Sequence, residues 1–200
     1  MPAPLTPDEL CAHLSAQGLS FHRLDHQAVF TVEESATLRG KVPGLHSKNL
    51  FLKDKKGRLF LVSARENARI DLKRLHEVIG ASGRLSFGSA ELLLEKLGVT
   101  PGSVTAFAVI NDRAKAVTMV LDANLMTGEE MNFHPLINTA TLRIGRDDML
   151  AFLRGTGHEP LIVDLPSPPD GLPASPNGQN DSSSPSMGGI AAMARSEAKI

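Results

Sequence analysis

The sequence predicts an α+β domain: a mixed sheet with flanking helices. Strand hairpins are interspersed with helical segments, and strict βαβ alternation is missing, which argues against a Rossmann arrangement. The 200 residues, 42% hydrophobic and 22% charged, suit one globular domain plus an additional segment.

The elements follow in chain order. Thr6-Pro7-Asp8-Glu9 sets an N-cap before a proline at the first helical position, and Leu10, Leu14 and Leu19 mark a helix closing near Gly18. Residues 21 to 30, FHRLDHQAVF, read as extended. Thr31-Val32-Glu33-Glu34 has capping-box spacing and leads a short helix toward Gly40. Strands over residues 48 to 53 and 58 to 63 flank the polar turn Asp54-Lys55-Lys56-Gly57 and make a hairpin. A helix over 72 to 79, a short strand over 84 to 87 and a helix over 89 to 97 come next. Further strands are predicted over 104 to 110, 116 to 122, 129 to 133 and 139 to 144, then a helix over 147 to 154 and a strand over 161 to 165.

Composition changes sharply after Leu165. The stretch from Pro166 to Gly189 holds six of the 13 prolines, with clustered Ser and Gly and almost no large apolar side chains. It cannot bury enough surface to offset its ordering entropy, so a domain over residues 1–165 and a disordered tail over 166–200 are expected. The closing IAAMARSEAKI has helix-forming composition but is too short to be stable alone.

Several function classes drop out. Of the 22 acidic and 21 basic residues, 19 of each precede Leu165, so the body is neutral overall and is no globally basic nucleic-acid binder. Cys11, the single cysteine, excludes an internal disulfide framework and a Cys-rich zinc module. The N-terminus lacks a basic and apolar leader, and no apolar run approaches the roughly 18 to 20 residues of a membrane span, so a cytoplasmic protein with no membrane partner is expected. With no Trp or Tyr and eight Phe, a platform stacking many bases is excluded; nucleic acid would be held by phosphate contacts and one shaped pocket.

Four features carry candidate chemistry. Arg39, Lys41, Lys48, Lys53, Lys55, Lys56 and Arg58 face only Asp54, a local basic lobe able to neutralise backbone phosphates or equally to form a solvated hairpin that resists edge pairing. In His46-Ser47-Lys48-Asn49-Leu50-Phe51-Leu52, Lys48 and Asn49 sit at the mouth of an apolar strand, from which a lysine and an amide are expected to reach a cleft while Leu50 and Leu52 stay inside. Between a helix ending at Gly98 and the next strand, Pro101-Gly102-Ser103 forms a tight loop with exposed N–H groups; without a Gly-Lys-Ser/Thr ending it is no Walker A loop. His134, set before Pro135, lies close to Asn138 and Thr139 in one polar loop. Each of these, alone, also has an ordinary structural reading. His22 and His26 lack an HExxH setting, and no GxSxG elbow occurs, so neither a zinc site nor a serine nucleophile is predicted.

Taken together these segments resemble the YbaK/prolyl-tRNA editing family, and within it the freestanding alanyl-tRNA(Pro) deacylases. The resemblance covers about Thr6 to Leu165 and rests on Thr31-Val32-Glu33-Glu34, Lys48-Asn49-Leu50-Phe51-Leu52 in its setting after Gly44, Arg84-Leu85-Ser86-Phe87, the stretch from Leu97 to Phe107, Ile110-Asn111-Asp112, and Phe133-His134-Pro135-Leu136 with Asn138. It implies a curved mixed sheet and hydrolysis of the ester between a mischarged amino acid and the terminal ribose of tRNA. No metal, cofactor or protein nucleophile is implied, and the neighbouring ribose hydroxyl would assist the attacking water.

By this resemblance Lys48 matches the essential lysine, Asn49 adjoins it, and His134 matches the pocket histidine. The stretch Gly102-Ser103-Val104-Thr105-Ala106 aligns with a Gly-x-x-x-Pro loop whose backbone faces the ester, and Ala106 departs from the usual proline. Gly102 and Ser103 thus join Lys48 as catalytic candidates, while Asn49, Thr105, Ala106, His134 and Asn138 are expected to bind the aminoacyl end. Lys53, Lys55, Lys56 and Arg58 are expected to bind tRNA. The implied partners are mischarged tRNA(Pro) and, transiently, prolyl-tRNA synthetase. Two alternatives stay open: a deacylase for another small residue such as Cys-tRNA(Pro), and a noncatalytic module that binds tRNA or the synthetase.

Overall fold

A computed structural model describes residues 3–27 and 42–169 of the chain. The helices are α1 (Pro7–Ala16), α2 (Leu75–Val78), α3 (Ala90–Leu97) and α4 (Arg146–Gly155). The strands are β1 (Phe21–Asp25), β2 (Leu45–Lys53), β3 (Leu59–Arg65), β4 (Ser86–Phe87), β5 (Val117–Asp122), β6 (Glu130–Phe133), β7 (Ala140–Gly145) and β8 (Leu161–Val163). Among the described residues they form one mixed sheet in the order β1-β7-β6-β2-β3-β5-β8, with β4 joined to β2 off that path. The helix expected from Thr31 lies outside the described residues.

Local chemistry accounts for most boundaries. In α1 the Thr6 hydroxyl accepts from Glu9 N while the Glu9 carboxylate accepts from Thr6 N, the reciprocal capping box. At α3 the Ser89 hydroxyl caps by accepting from Leu92 N, and Gly98 ends the helix in the left-handed conformation. The β2–β3 hairpin turns on Asp54, whose buried carboxylate accepts from Lys56 N, Arg58 N, the Arg58 guanidinium and Ser82 N. Burial alone would raise its pKa; these four donors outweigh that and hold it down at about 2.

Two expected elements come out differently. Residues 104 to 110, read as a strand, instead run into a 3-10 helix over Ala106–Asn111. An apolar run buried on every side has no diagnostic period, and here Thr105 Oγ1 accepts from Phe107 N and starts the helical turn. The helix expected over 72 to 79 shrinks to the single turn of α2, because Asp71 takes up the preceding N–H groups: its side chain accepts from Lys73 N and its carbonyl from Arg74 N and Leu75 N.

The sheet separates two apolar layers. One face carries Phe51, Leu61, Met119 and Met131 into a large core with α1, α3, α4 and the 3-10 helix, where Phe107 meets Phe133 and Phe152 edge to face. The other face carries Leu52, Phe60, Val62 and Val120 into a smaller core closed by Ile70, Leu75 and Ile79. Strand alternation assigns each β2 side chain to one of these faces.

Candidate functional site

The long strand β2 changes neighbours along its length. Its start pairs with β6 (Leu45 with Met131, His46 with Asn132), and its end pairs with β4 (Leu52 with Phe87, Lys53 with Ser86). Among the described residues no strand pairs with that edge between these points, so Lys48, Asn49 and Leu50 lie in a fork of the sheet. Gly44 makes the entry into this strand. Its φ is +93°, and a β-carbon there would stand 3.0 Å from the Glu130 carbonyl oxygen, so only glycine brings the chain this close to β6.

Lys48 is half-buried on the smaller-core face, and its ammonium donates to the Ala68 carbonyl oxygen. Burial lowers its pKa, while the nearby carboxylates of Glu66 and Asp122 act in the opposite direction. Asn49 does not share that cleft. Alternation sends it to the opposite face with its register partner Ser63, whose hydroxyl donates to Asn49 Oδ1, so the expectation that both side chains reach one cleft is corrected here.

His134 follows directly from β6 at the fork. Its half-buried ring contacts the Ala140 carbonyl through Nδ1 at 3.2 Å. A carbonyl only accepts, so Nδ1 carries the proton and Nε2 presents a lone pair. Burial lowers the pKa of the ring, with His26 adding to the lowering and Ala140 and Glu66 opposing it, which favours the neutral form. Glu66 therefore lies within electrostatic reach of both Lys48 and His134.

The Gly102 turn approaches the other end of the His134 segment. Gly102 has φ +89°, and a β-carbon there would lie 4.0 Å from Asn138 Nδ2. Ser103 N donates to the Thr100 carbonyl, which closes the turn, whereas the N–H groups of Gly102 and Val104 have no hydrogen-bond partner among the described residues. Thr105 and Ala106 are fully buried, and the Thr105 hydroxyl serves as a helix cap, so neither side chain is presented to a ligand.

The basic residues of the hairpin are elsewhere. Lys53, Lys55 and Lys56 are exposed at and around the turn, five or more residues beyond Lys48, which along a strand is roughly 17 Å at the nearest. Arg58 is engaged locally, donating to Asp54, to the Gly80 carbonyl and to Ser82 Oγ. It braces the hairpin on which the lysines are displayed.

Beside Lys48 lies an open cleft of about 170 Å³, lined by Ala68 and by Arg65, Asn67, Arg69, Asp122, Asn124, Leu165 and Ser167. None of these was a sequence candidate. Asp122 had a legible signal: a carboxylate ending the apolar run Val117-Thr118-Met119-Val120-Leu121, and it is 1% exposed with Asn124 N donating to it. Among the described residues no group of three or more His, Cys, Asp and Glu is placed to hold a metal. No described helix is long and apolar enough to cross a membrane.

Residues 26–152 match the family model described as the aminoacyl-tRNA editing domain. The chain belongs to this family. The chain is 40% identical over 159 residues to prolyl-tRNA synthetase associated domain-containing protein 1 of Xenopus laevis, covering 78% of this chain and 94% of that one. It is 34% identical over 155 residues to the prolyl-tRNA editing protein ProX of Acetoanaerobium sticklandii, covering 77% and 94%. Its fold matches a crystal structure described as a candidate trans-editing enzyme for prolyl tRNA synthetase, with TM-score 0.62, 21% identity and coverage of 80% and 98%.

Proposed function

We propose that the protein is a trans-acting deacylase that hydrolyses the ester of mischarged tRNA, with Ala-tRNA(Pro) as its preferred substrate. The observation that carries this reading is the fork itself. A half-buried lysine on β2 and a neutral histidine acceptor just past β6 both lie within electrostatic reach of Glu66, and a glycine turn with unpaired N–H groups approaches Asn138 in the same segment as that histidine. The names of the relatives, which join prolyl-tRNA editing with prolyl-tRNA synthetase, support the choice of tRNA(Pro) and of the synthetase as a transient partner.

In this reading water attacks the ester carbonyl carbon, and the bond from that carbon to the ribose oxygen breaks. The products are the free amino acid and the 3′-terminal hydroxyl of the tRNA. The developing oxyanion is met by the N–H groups of the Gly102 turn, fixed before the reaction begins. The Lys48 ammonium binds the phosphate next to the reacting ribose and holds the ester in place. His134 Nε2 accepts from the substrate's amino group, and Asn138 lines the same end. The ester is already activated, so positioning and oxyanion stabilisation suffice, with the adjacent ribose hydroxyl orienting the water.

The test is a panel of purified Ala-tRNA(Pro), Cys-tRNA(Pro) and Pro-tRNA(Pro) incubated with the protein. Ala-tRNA(Pro) is expected to be hydrolysed fastest and Pro-tRNA(Pro) spared. A faster rate on Cys-tRNA(Pro) reassigns the amino acid. Rates no greater than spontaneous hydrolysis on every substrate overturn the enzyme reading in favour of a binding module.

A further inference from the structure

The sheet face that carries Lys48 also carries side chains whose donors are spent on the backbone. Leu45, Met131 and Phe133 belong to the larger core, so strand alternation turns His46 and Asn132 to the opposite face, where Lys48 lies. His46 and Asn132 are register partners across the β2–β6 pairing, and His134 stands two residues past Asn132. The register thus sets all three at the start of the fork.

Each of them keeps an acceptor. Asn132 Nδ2 donates to the Pro43 carbonyl at 2.9 Å, which fixes the orientation of the amide, and Oδ1 is left with no hydrogen-bond partner although the residue is only 2% exposed. A buried acceptor without a partner is costly, and bracing Pro43 needs only the amide nitrogen. His46 Nε2 meets the Val42 carbonyl at 3.2 Å, so Nε2 carries a proton and Nδ1 of the neutral ring accepts. His134 is the reverse case, with its proton on Nδ1 toward Ala140 and its lone pair on Nε2. The cations of this face are engaged: Arg143, register partner of Asn132 on β7, pairs with Glu130 at 3.5 Å, and the Lys48 ammonium donates to the Ala68 carbonyl. Three acceptors suit a group with three N–H donors, a primary ammonium. We propose that His46 and Asn132 complete, with His134, a seat for the α-ammonium of the aminoacyl group and so make a free amine a requirement of the substrate. On the deacylase reading, which supplies the identity of the ligand, that group is the amino end of the mischarged residue.

The experiment uses full-length protein and two esters, Ala-tRNA(Pro) and the same species deaminated so that a hydroxyl replaces the amine, each corrected for spontaneous hydrolysis. In single-turnover reactions the wild type is expected to favour the Ala ester by at least about tenfold. Asn132→Leu and His46→Phe keep much of the side-chain volume and remove an acceptor, and each is expected to lower that preference severalfold. A merely structural change slows both esters alike and leaves their ratio intact, and either variant suffices if the other does not fold. No preference in the wild type, or the wild-type ratio retained in a folded variant of each residue, overturns the seat and leaves the deacylase reading standing. If the wild type hydrolyses neither ester, titration with alaninamide and with lactamide, followed by NMR through the Asn132 side-chain amide, decides. Saturable binding of alaninamide in preference to lactamide then keeps the seat while the deacylase reading falls, and no preference removes both.

Discussion

On the proposed reading Lys48 is a residue kept for chemistry at the expense of folding. Burial lowers its pKa, so in the folded protein the protonated form is disfavoured relative to the unfolded chain. That penalty is present at every pH below the folded-state value and fades as pH rises through it toward the ordinary lysine value. Lys48→Met removes the charge and keeps most of the packed stem. Hydrolysis of Ala-tRNA(Pro) is expected to fall by roughly a hundredfold or more, while the neutral-pH melting temperature holds or rises. A normal single-turnover rate would remove Lys48 from the site. Gly102 makes the opposite trade. At φ +89° a branched side chain is strained, by about 1 to 2 kcal/mol, and it would also press toward Asn138 and shift the turn's donors. Gly102→Val is therefore expected to lose both stability and turnover, measured by thermal melting and single-turnover kinetics, and a fully active variant would exclude the turn from the reaction.

At the scale of elements, the hairpin turn is strongly specified by the four donors on Asp54. Asp54 is held at a pKa of about 2, below the ordinary carboxylate value, so its contribution is fully present above about pH 4 and is lost as pH falls from there through 2. Asp54→Asn should be less stable than the wild type at neutral pH, and urea unfolding at several pH values should show the gap closing as acid is added across that window. A constant gap would mean that the carboxylate's charge is not what holds the turn. This hairpin was legible because its turn residues and flanking apolar runs are local signals. The candidate site was legible in its parts: Lys48, Gly102 and His134 each stand in a recognisable local setting. Period-2 alternation was available to separate Lys48 from Asn49, but the motif reads as one polar pair at a strand mouth and hides it. The 3-10 helix at Ala106–Asn111 was not legible, since a fully buried apolar run looks alike in either conformation. The cleft could not be read at all. Residues 65–69, 122–124 and 165–167 meet only through the parallel pairing of β3, β5 and β8.

At the scale of the whole molecule, the proposed function assigns the basic hairpin and the fork to different parts of one large ligand. Lys53, Lys55 and Lys56 stand roughly 17 Å or more beyond Lys48, too far to touch the ester that Lys48 would orient but within the span of a nucleic-acid stem. The body is otherwise near neutral, so these three charges form a local attraction set apart from the fork. Replacing all three with Gln should weaken tRNA binding and flatten the plot of log affinity against log salt, by roughly one unit of slope for each phosphate that is no longer neutralised. The hydrolysis rate at saturating protein should be unchanged, because the ester, the Gly102 turn and Lys48 keep their arrangement once the tRNA is bound. Filter binding across a salt series gives the slope, and single-turnover kinetics give the saturating rate. An unchanged slope would reduce the lysines to a solvated turn that discourages edge pairing. A lowered saturating rate with an unchanged slope would mean that the hairpin positions the fork directly, and the division of labour between the two ends of β2 would be wrong.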